Sequence, residues 1–436
     1  MDVSDLLDWS GHMTGVQRVM YEIMTCLIED SAYEARFFKL SFNGKALVEC
    51  DVTDMLARMS AQANEASTAP DDATEGRKKQ IKAMVRKAYF ALPTGVRQRI
   101  TTEHKQKAKH VAHTALHQAK QLKHQFAQMA AKPGEQEYAK PADFRQDDTV
   151  LVVGKAWDDI RLVDLLAEGK RAVGYRYVTL VHDLIPVFQP HLFGPGLFNP
   201  YAQYLFEALT NCDRILCVSK NTEKDVQQLA AILNVPHVET AVVVLGDTPL
   251  TEIAAVRPNE VAADEPFILA VGTVEARKNH ELLYQAYKLA KEQGKQLPRL
   301  IIVGSPGWLT NDFVYIAAHD PDTKDMITIL RHIPDAQIRW LYEHCLLTVY
   351  PSIYEGWGLP VRESLAYGKH CITTTVASLP EAAGGHASLV SPYDSGAFLA
   401  QLLTDIPKAP QLNKAIACTY VPNEWRSTYA MVKKAL

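Results

Sequence analysis

The sequence lacks the features of an integral membrane protein or of a disulfide-bonded secreted protein. No stretch approaches the roughly 18 uninterrupted apolar residues that a membrane-spanning helix needs. The first residues, MDVSDLLDWSG, contain three acids and no basic segment, so we do not expect a secretory signal. The seven cysteines are scattered, without a CxxC pair or a Cys/His zinc spacing, which is typical of reduced thiols. We therefore expect a cytoplasmic protein.

The chain also has little net charge, but its charge is unevenly distributed. The formal net charge of the 436 residues is −4. Between Arg77 and Lys123 there are 13 Lys and Arg residues and one acid, Glu103, so this segment carries +12 and the remainder −16. This asymmetry indicates a segment with its own binding or solvation role.

Short apolar runs alternate with helical patterns over most of the length. Because the runs are apolar on both faces, they predict parallel sheets covered by helices, an α/β architecture of the doubly wound kind. The candidate strands are TVLVVG (149–154), YVTLVHDL (177–184), RILCVS (214–219), AVVVLG (241–246), FILAVG (267–272), RLIIVG (299–304), LTVYPS (347–352) and HCITTT (370–375).

The length suits two domains of about 150–200 residues each. Residues 247–264 lack strong periodicity and separate two series of strands and helices, so we interpret them as a linker. We predict an N-terminal Rossmann-like domain over 1–246 and a C-terminal one over 265–420. A final helix within 421–436 is a candidate to cross back to the first domain.

Residues 52–146 break the alternation of strands and helices. Their pattern predicts a basic helical hairpin inserted in the N-terminal domain, with an apolar stripe on each helix, at 81–92 and 111–129. Three interpretations stay open: a solvated helical excursion, a peripheral contact with an anionic membrane through residues 77–123, or RNA binding. The last is disfavoured because no aromatic stacking pattern accompanies the charge.

The stretch YEGWGLPVRES (354–364) places two glutamates around a glycine turn. Gly356 and Gly358 allow a tight turn, and a helix starting near Leu359 would direct unpaired backbone N–H groups at a phosphate. Glu355 and Glu363 would lie on either side, and a carboxylate accepts hydrogen bonds from sugar or ribose hydroxyls. This spacing indicates recognition of a nucleotide-sugar. The alternative is that Glu363 only caps or decorates the helix.

A second stretch, GTVEARKNHELLYQAY (272–287), favours the nucleotide-sugar interpretation. Gly272 ends a predicted strand, and Arg277 and Lys278 precede a helix that begins around Asn279. Two adjacent cations at a strand end can neutralise the charge of a departing diphosphate. Taken alone, they would be read as solvent-exposed loop residues.

Together the two stretches resemble the retaining glycosyltransferases of family 4, in a bacterial mannosyltransferase-like branch. Glu355 and Glu363 match the E-x7-E signature of that family, and Arg277 and Lys278 match its basic pair. The resemblance covers nearly everything except 52–146. Further matching stretches are TGVQRVMYEI (14–23), HDLIP (182–186), CVSKNTEKDV (217–226), IIVGSPGW (301–308) and IPDAQIRWLYEHC (333–345).

The resemblance implies a GT-B fold, in which two Rossmann-like domains face a cleft, and a role for each matching residue. Glu355 should contact the transferred sugar and Glu363 the ribose, whereas Asp183 either orients His182 or caps a turn. The implied catalytic residues are His182, Glu355, Arg277 and Lys278. The implied donor-binding residues are Gly15, Arg18, Gly272, Arg277, Lys278, Glu355, Gly356, Gly358, Leu359 and Glu363.

No metal or other cofactor is expected. Asp320-Pro321-Asp322 formally makes a D-x-D pattern, which some glycosyltransferases use to hold a divalent metal, but it lies in a polar loop far in sequence from the phosphate-binding stretches. Five histidines between 104 and 124 lack cysteine partners, so solvated histidines are favoured over a metal cluster. The two cations and the helix terminus would supply the positive charge that a metal otherwise provides.

The resemblance thus implies a metal-independent, retaining hexosyltransferase that uses a nucleotide-sugar, with GDP-mannose as first choice. Its acceptor would be a growing bacterial surface glycan, such as lipopolysaccharide O-antigen, capsule or exopolysaccharide. A lipid-linked acceptor would explain the basic insert and would place the protein on the inner face of the cytoplasmic membrane. The alternatives are a nucleotide-sugar epimerase or other enzyme of the same fold, and a non-catalytic scaffold of a polysaccharide assembly complex.

Overall fold

The computed structural model describes residues 1–7, 15–41, 43–57, 140–194, 196–249, 251 and 253–436. The chain divides into two units, Met1–Ala66 with Pro141–Leu436, and Ser67–Lys140. The predicted basic hairpin, its histidines and the proposed membrane contact at 77–123 lie outside the described residues. The domain boundaries predicted above stay predictions.

The N-terminal lobe (the described residues between 1 and 246) contains a parallel sheet in the order β3-β4-β5-β6. Buried Val, Leu and Ile side chains on both faces of β3, β4 and β5 explain why helices cover them. The elements of this sheet are β3 Thr149–Val152, α3 Ile160–Val173, β4 Arg176–Val181, α4 Ile185–Phe188, α5 Phe198–Asn211, β5 Arg214–Cys217, α6 Lys220–Leu233 and β6 Glu239–Val242.

Two helices and a hairpin complete this lobe. Val19, Met20 and Ile23 of the amphipathic helix α2 are buried in the same core as residues of β3, β4 and β5. A helical turn at 53–57 follows the hairpin. The elements are α1 Ser4–Leu7, α2 Gly15–Glu29, and the antiparallel strands β1 Phe38–Leu40 and β2 Leu47–Glu49.

The C-terminal lobe (the described residues between 253 and 420) contains a six-stranded parallel sheet in the order β12-β11-β10-β7-β8-β9. Successive residues of β7 and β8 alternate between two hydrophobic cores, one on each face. Its elements are β7 Phe267–Val271, α7 His280–Glu292, β8 Arg299–Val303, α8 Asn311–His319, β9 Ile327–Leu330, α9 Asp335–His344, β10 Leu347–Tyr350, α10 Leu359–Ala366, β11 Cys371–Thr374, α11 Leu379–Ala383, β12 Ser388–Val390, α12 Ser395–Asp405 and α13 Ala409–Thr419.

The last helix, α14 (Trp425–Ala435), packs against α2 of the N-terminal lobe. Just before α14, the N–H of Asn423 donates a hydrogen bond to Asp247. The Asp247 side chain is fully buried and lies 2.7 Å from Nε of Arg362. At the other end of α14, Asp30 accepts hydrogen bonds from Tyr429 Oη (2.9 Å) and Lys433 Nζ (2.6 Å). The segment after the second sheet therefore joins the two lobes.

The predicted strands occur, but most of the apolar runs extend beyond them at the carboxyl end. AVVVLG (241–246) differs most, because β6 already ends at Val242. The next apolar residues, Val243 and Leu245, lie outside the sheet but are still buried. Val153 and Val218 are likewise buried just after their strands. Loops at the carboxyl ends of these sheets are therefore part of the core, which is why apolar runs continue into them. None of the helices in the described ranges is long and apolar enough to cross a membrane.

Candidate active site

The two cationic residues predicted from the sequence lie at the carboxyl end of β7. Gly272 leaves this strand with φ 144°, a conformation that side-chain-bearing residues rarely adopt. A 3-10 turn, Ala276–Lys278, follows, and Asn279 links it to α7. The carbonyl of Arg277 accepts a hydrogen bond from the N–H of Ile353 at 2.8 Å, which joins this turn to the loop after β10.

Glu355 is the centre of a buried charge cluster with these cations. Its Oε2 lies 2.5 Å from Nη1 of Arg277, and its Oε1 lies 2.7 Å from Nζ of Lys278. Tyr350, the last residue of β10, donates to the same Oε1 at 2.7 Å and accepts a hydrogen bond from Lys278. Glu275 lies 2.7 Å from Nε of Arg277, as an ion pair rather than an aligned hydrogen bond. The cluster thus places two cations and two carboxylates side by side.

The charges in the cluster depend on one another. Burial favours the neutral form of Glu355, but Arg277 and Lys278 outweigh it and lower the pKa of Glu355 to about 2. Burial and the neighbouring Arg277 lower the pKa of Lys278, whereas Glu355 raises it, and the net direction is down. Arg277 stays charged, because Glu355 and Glu275 raise its pKa against the effect of burial. The two cations are thus already paired with two carboxylates, Glu355 and Glu275.

The loop that carries Glu355 is packed directly on the N-terminal lobe. A Cβ added to Gly356 would lie 1.9 Å from the carbonyl oxygen of His182, so only glycine fits there. Thr222 Oγ1 donates to the Gly356 carbonyl at 3.2 Å. Tyr354 donates to Asp225 Oδ2 at 2.6 Å. The predicted sugar-binding loop is thereby held between the two lobes.

His182 follows β4 and lies on the N-terminal side of the cluster. Its ring Nε2 is 2.7 Å from the carbonyl of Val153, which assigns the proton to Nε2 and leaves Nδ1 as an acceptor. Burial lowers the pKa of His182, so the ring is neutral at pH 7. Asp183 Oδ1 accepts from the N–H of Ile185 at 3.0 Å, so the turn-capping interpretation of Asp183 holds.

The remaining predicted donor residues meet at the start of α10. Gly358 precedes this helix with φ 110°, and among the described residues no side chain caps its first turn. A Cβ on Gly15 would lie 3.4 Å from Leu359 Cδ1, so the first turn of α2 faces α10 closely. Glu363 accepts from Arg18 Nη1 at 2.8 Å and from Tyr342 Oη at 3.1 Å. Glu363 therefore pairs with a residue of the N-terminal lobe, and its contact with a ribose stays a prediction.

The structure brings all eleven predicted site residues into one continuous region, although their roles stay predictions. Sequence reasoning missed Tyr350, Glu275 and Tyr342, which bind the predicted residues directly. Tyr350 could have been found from its position at the carboxyl end of a strand. Asp225 left no such signal, because it meets Tyr354 only through the contact between lobes.

The D-x-D pattern lies elsewhere and surrounds a cation of its own. Lys288 Nζ lies 3.0 Å from Asp320 Oδ2 and 2.6 Å from Asp322 Oδ2. Tyr284 also donates to Asp320 at 2.7 Å. These contacts give the two aspartates a structural function at the end of α8.

Comparison with known proteins finds similar sequences. Residues 253–417 match the family described as Glycosyl transferases group 1. The O-antigen chain mannosyltransferase B of Escherichia coli is 29% identical over 238 residues, which are 53% of this chain and 61% of that protein. The O-antigen chain mannosyltransferase RfbU of Salmonella typhimurium is 26% identical over 215 residues, 49% of this chain and 56% of that protein. The chain thus matches about three fifths of the length of these curated relatives.

Solved structures show the fold. HepE from Anabaena in complex with UDP and glucose superposes with a TM-score of 0.51 at 14% identity, over 66% of this chain and 77% of that chain. A trehalose-6-phosphate structure from E. coli, bound with UDP-2-fluoro glucose, gives 0.51 at 14% identity over 67% and 73%. The expected GT-B fold is confirmed. Residues 253–417 are therefore similar to the glycosyl transferases group 1 family, in a chain with the GT-B fold.

Proposed function

We propose that this protein is a retaining, metal-independent hexosyltransferase that transfers mannose from GDP-mannose to a growing bacterial surface glycan. The observation that carries the proposal is the buried cluster of Arg277, Lys278, Glu355 and Tyr350 beside His182. Two cations held at the end of a parallel sheet suit the diphosphate of a nucleotide-sugar. The donor hydroxyls would take the place of the cations as partners of Glu355.

The proposed reaction needs positive charge where the diphosphate leaves. Arg277 and Lys278 would bind its oxygens, together with the backbone N–H groups at the start of α10. The acceptor hydroxyl would enter on the face that the diphosphate leaves, which keeps the anomeric configuration. The departing phosphate would take the proton of this hydroxyl, so no separate carboxylate base is required. Nδ1 of His182 would accept a hydrogen bond from the donor sugar.

Glu363 would hold the ribose on the other side of the diphosphate. Arg18 now donates to one of the Glu363 oxygens at 2.8 Å, so the ribose would compete with this guanidinium, which would turn to a phosphate of the donor. Because Arg18 belongs to the N-terminal lobe, the donor would bind groups from both lobes.

The choice of mannose and of a surface glycan rests on the relatives, two of which are named as O-antigen chain mannosyltransferases. A peripheral location on the inner face of the cytoplasmic membrane, with contact through residues 77–123, would bring the protein to a lipid-linked acceptor. Stronger retention on vesicles with anionic lipid than on neutral vesicles, at low salt, tests this part of the proposal.

The central experiment is a panel of nucleotide-sugars incubated with the purified protein, with release of nucleoside diphosphate as the readout. The proposal expects slow release from GDP-mannose that EDTA does not change, and faster release when acceptor glycan is added. Loss of activity with EDTA and its return with manganese would refute the metal-free mechanism. Conversion of the donor without release of diphosphate would instead indicate an epimerase. Wild-type glycan in cells that carry Glu355→Ala, with glycan lost on deletion of the chain, would indicate a scaffold.

A further inference from the structure

Two aromatic side chains meet across the cleft without a role in the site described above. Phe193 of the N-terminal lobe and Trp308 of the C-terminal lobe have ring centroids 5.8 Å apart, with their planes inclined by 38°. Trp308 is 44% exposed and its neighbour Leu309 is 58% exposed. Trp308 and Leu309 together expose an apolar surface beside the site, and contiguous surfaces of this kind mark ligand-binding grooves.

The Trp308 loop is attached to the turn that carries the cations. The carbonyl of Trp308 accepts a hydrogen bond from the N–H of Ala276, the residue before Arg277, at 3.3 Å. Thr310 Oγ1 donates to the carbonyl of Val274 at 3.1 Å. A Cβ added to Gly307 would lie 3.1 Å from Glu275 Cβ, so the two loops are packed together. The backbone of the Trp308 loop is thus fixed relative to the proposed diphosphate site.

Phe193 is attached to the other side of the same site. It lies eleven residues after His182, beyond the short helix α4. Tyr201 at the start of α5 donates to the carbonyl of Asp183 at 2.8 Å, which joins the segment around Phe193 to the His182 loop at both ends. The ring pair therefore spans the two loops between which the sugar would react.

The Trp308 loop and the partner of Glu363 connect to opposite faces of the C-terminal sheet. The Trp308 loop leads into α8, whose Phe313 packs with α7 on one face of the C-terminal sheet and stacks on His280. Tyr342 of α9, which donates a hydrogen bond to Glu363, is buried on the other face of that sheet. Under the proposed function Glu363 binds the ribose, so the Trp308 loop on the other face is the candidate acceptor side.

We propose that Phe193 and Trp308 form an aromatic subsite that binds the acceptor saccharide next to the transferred sugar. A pyranose ring presents a face of C–H groups, and this face stacks on an exposed indole while its hydroxyls stay in water. Because one ring belongs to each lobe, the acceptor would be bound only when the lobes are closed around the donor. The inference rests on the proposed function and assigns the acceptor part of the same site.

The test separates acceptor binding from donor chemistry. The donor identified in the panel is supplied with a radiolabelled sugar, and membranes from a strain that lacks this protein supply the acceptor. Label transferred to membrane glycan is compared with free sugar released by hydrolysis when membranes are omitted. Trp308→Ala and Phe193→Ala should raise the amount of membranes that gives half-maximal transfer about tenfold, while donor hydrolysis stays unchanged.

Further variants distinguish ring stacking from general hydrophobicity. Trp308→Phe keeps a ring and should recover most of the transfer, whereas Trp308→Leu should behave like Trp308→Ala. Phe206→Ala removes another aromatic side chain of the N-terminal lobe, 43% exposed on α5, and should change nothing. Unchanged half-saturation in both alanine variants would overturn the inference, as would a parallel loss of donor hydrolysis. Hydrolysis of no donor by the wild type would instead refute the proposed function.

Discussion

Replacement of Glu355 by glutamine tests the buried cluster directly. The amide has nearly the same shape as the carboxylate but no charge, so Arg277 and Lys278 lose the anion that lies 2.5 and 2.7 Å from them. Removing one partner of a buried ion pair costs about 3–5 kcal/mol. The decrease of the Glu355 pKa from 4.5 to about 2 gives a similar free energy, about 3 kcal/mol. This contribution is present above pH 4.5 and is lost as the pH falls through about 2.

Thermal unfolding at pH 7 measures the effect. A loss of about 3 kcal/mol lowers Tm by roughly 6–12 °C, at about 2–4 °C per kcal/mol for a domain of 150–250 residues. GDP should raise the Tm of Glu355→Gln more than that of the wild type, because its phosphates replace the missing negative charge. Glu265→Gln is the matched control, since it breaks a partly exposed pair with Arg299 in the same lobe and should cost at most about 1 kcal/mol. A Glu355→Gln variant that melts with the wild type, and gains no more from GDP, would refute this reasoning.

Three further substitutions test other parts of the site. Glu363→Gln should weaken binding of GDP about tenfold in calorimetry. Binding of 2′,3′-dideoxy-GDP should stay unchanged, because this nucleotide lacks the ribose hydroxyls that Glu363 would bind. An equal loss for both nucleotides would exclude contact with the ribose. Gly356→Ala places a methyl group 1.9 Å from the His182 carbonyl oxygen, so it should lower the free energy of unfolding by about 1–3 kcal/mol or more and abolish transfer. Gly194→Ala is the control and should be tolerated, because its Cβ would meet no atom within 4 Å. Equal stability of the two variants would contradict the packing described between the lobes. Burial and Lys278 lower the pKa of His280 to about 3, so the unfolded chain binds a proton more readily than the folded protein below pH 6.5. The free energy of unfolding of the wild type should therefore fall by about 2 kcal/mol between pH 7.5 and 5, and that of His280→Leu should not show this loss. Denaturation curves of the two proteins that shift in parallel with pH would show that His280 is not buried as a neutral ring.

The alternation of apolar runs was enough to predict the α/β class and most strands, because strands buried on both faces leave a continuous signal. The positions of Arg277, Lys278, Glu355 and Glu363 were also readable, since glycine turns and strand ends mark the edge of a parallel sheet. These signals are local in sequence. They fix where a loop lies but not which side chains meet across it.

Contacts between distant segments could not be predicted in the same way. That Glu355 binds both cations, and that Arg18 covers Glu363, depends on how the two lobes approach each other. The Phe193–Trp308 pair joins residues more than a hundred positions apart, and nothing in either local pattern indicates the other. The end of β6 was misplaced because buried loop residues and strand residues have the same composition.

Calorimetric titration of the purified protein with UDP-, GDP-, ADP- and dTDP-linked hexoses, in the presence of EDTA, tests the central claim most directly. We predict heat of binding with at least one of them, GDP-mannose first, and loss of that heat when both Arg277 and Lys278 are replaced by alanine in a protein that still folds. No heat with any of these compounds, from wild-type protein that unfolds cooperatively, would contradict the claim that this cluster binds the diphosphate of an activated sugar.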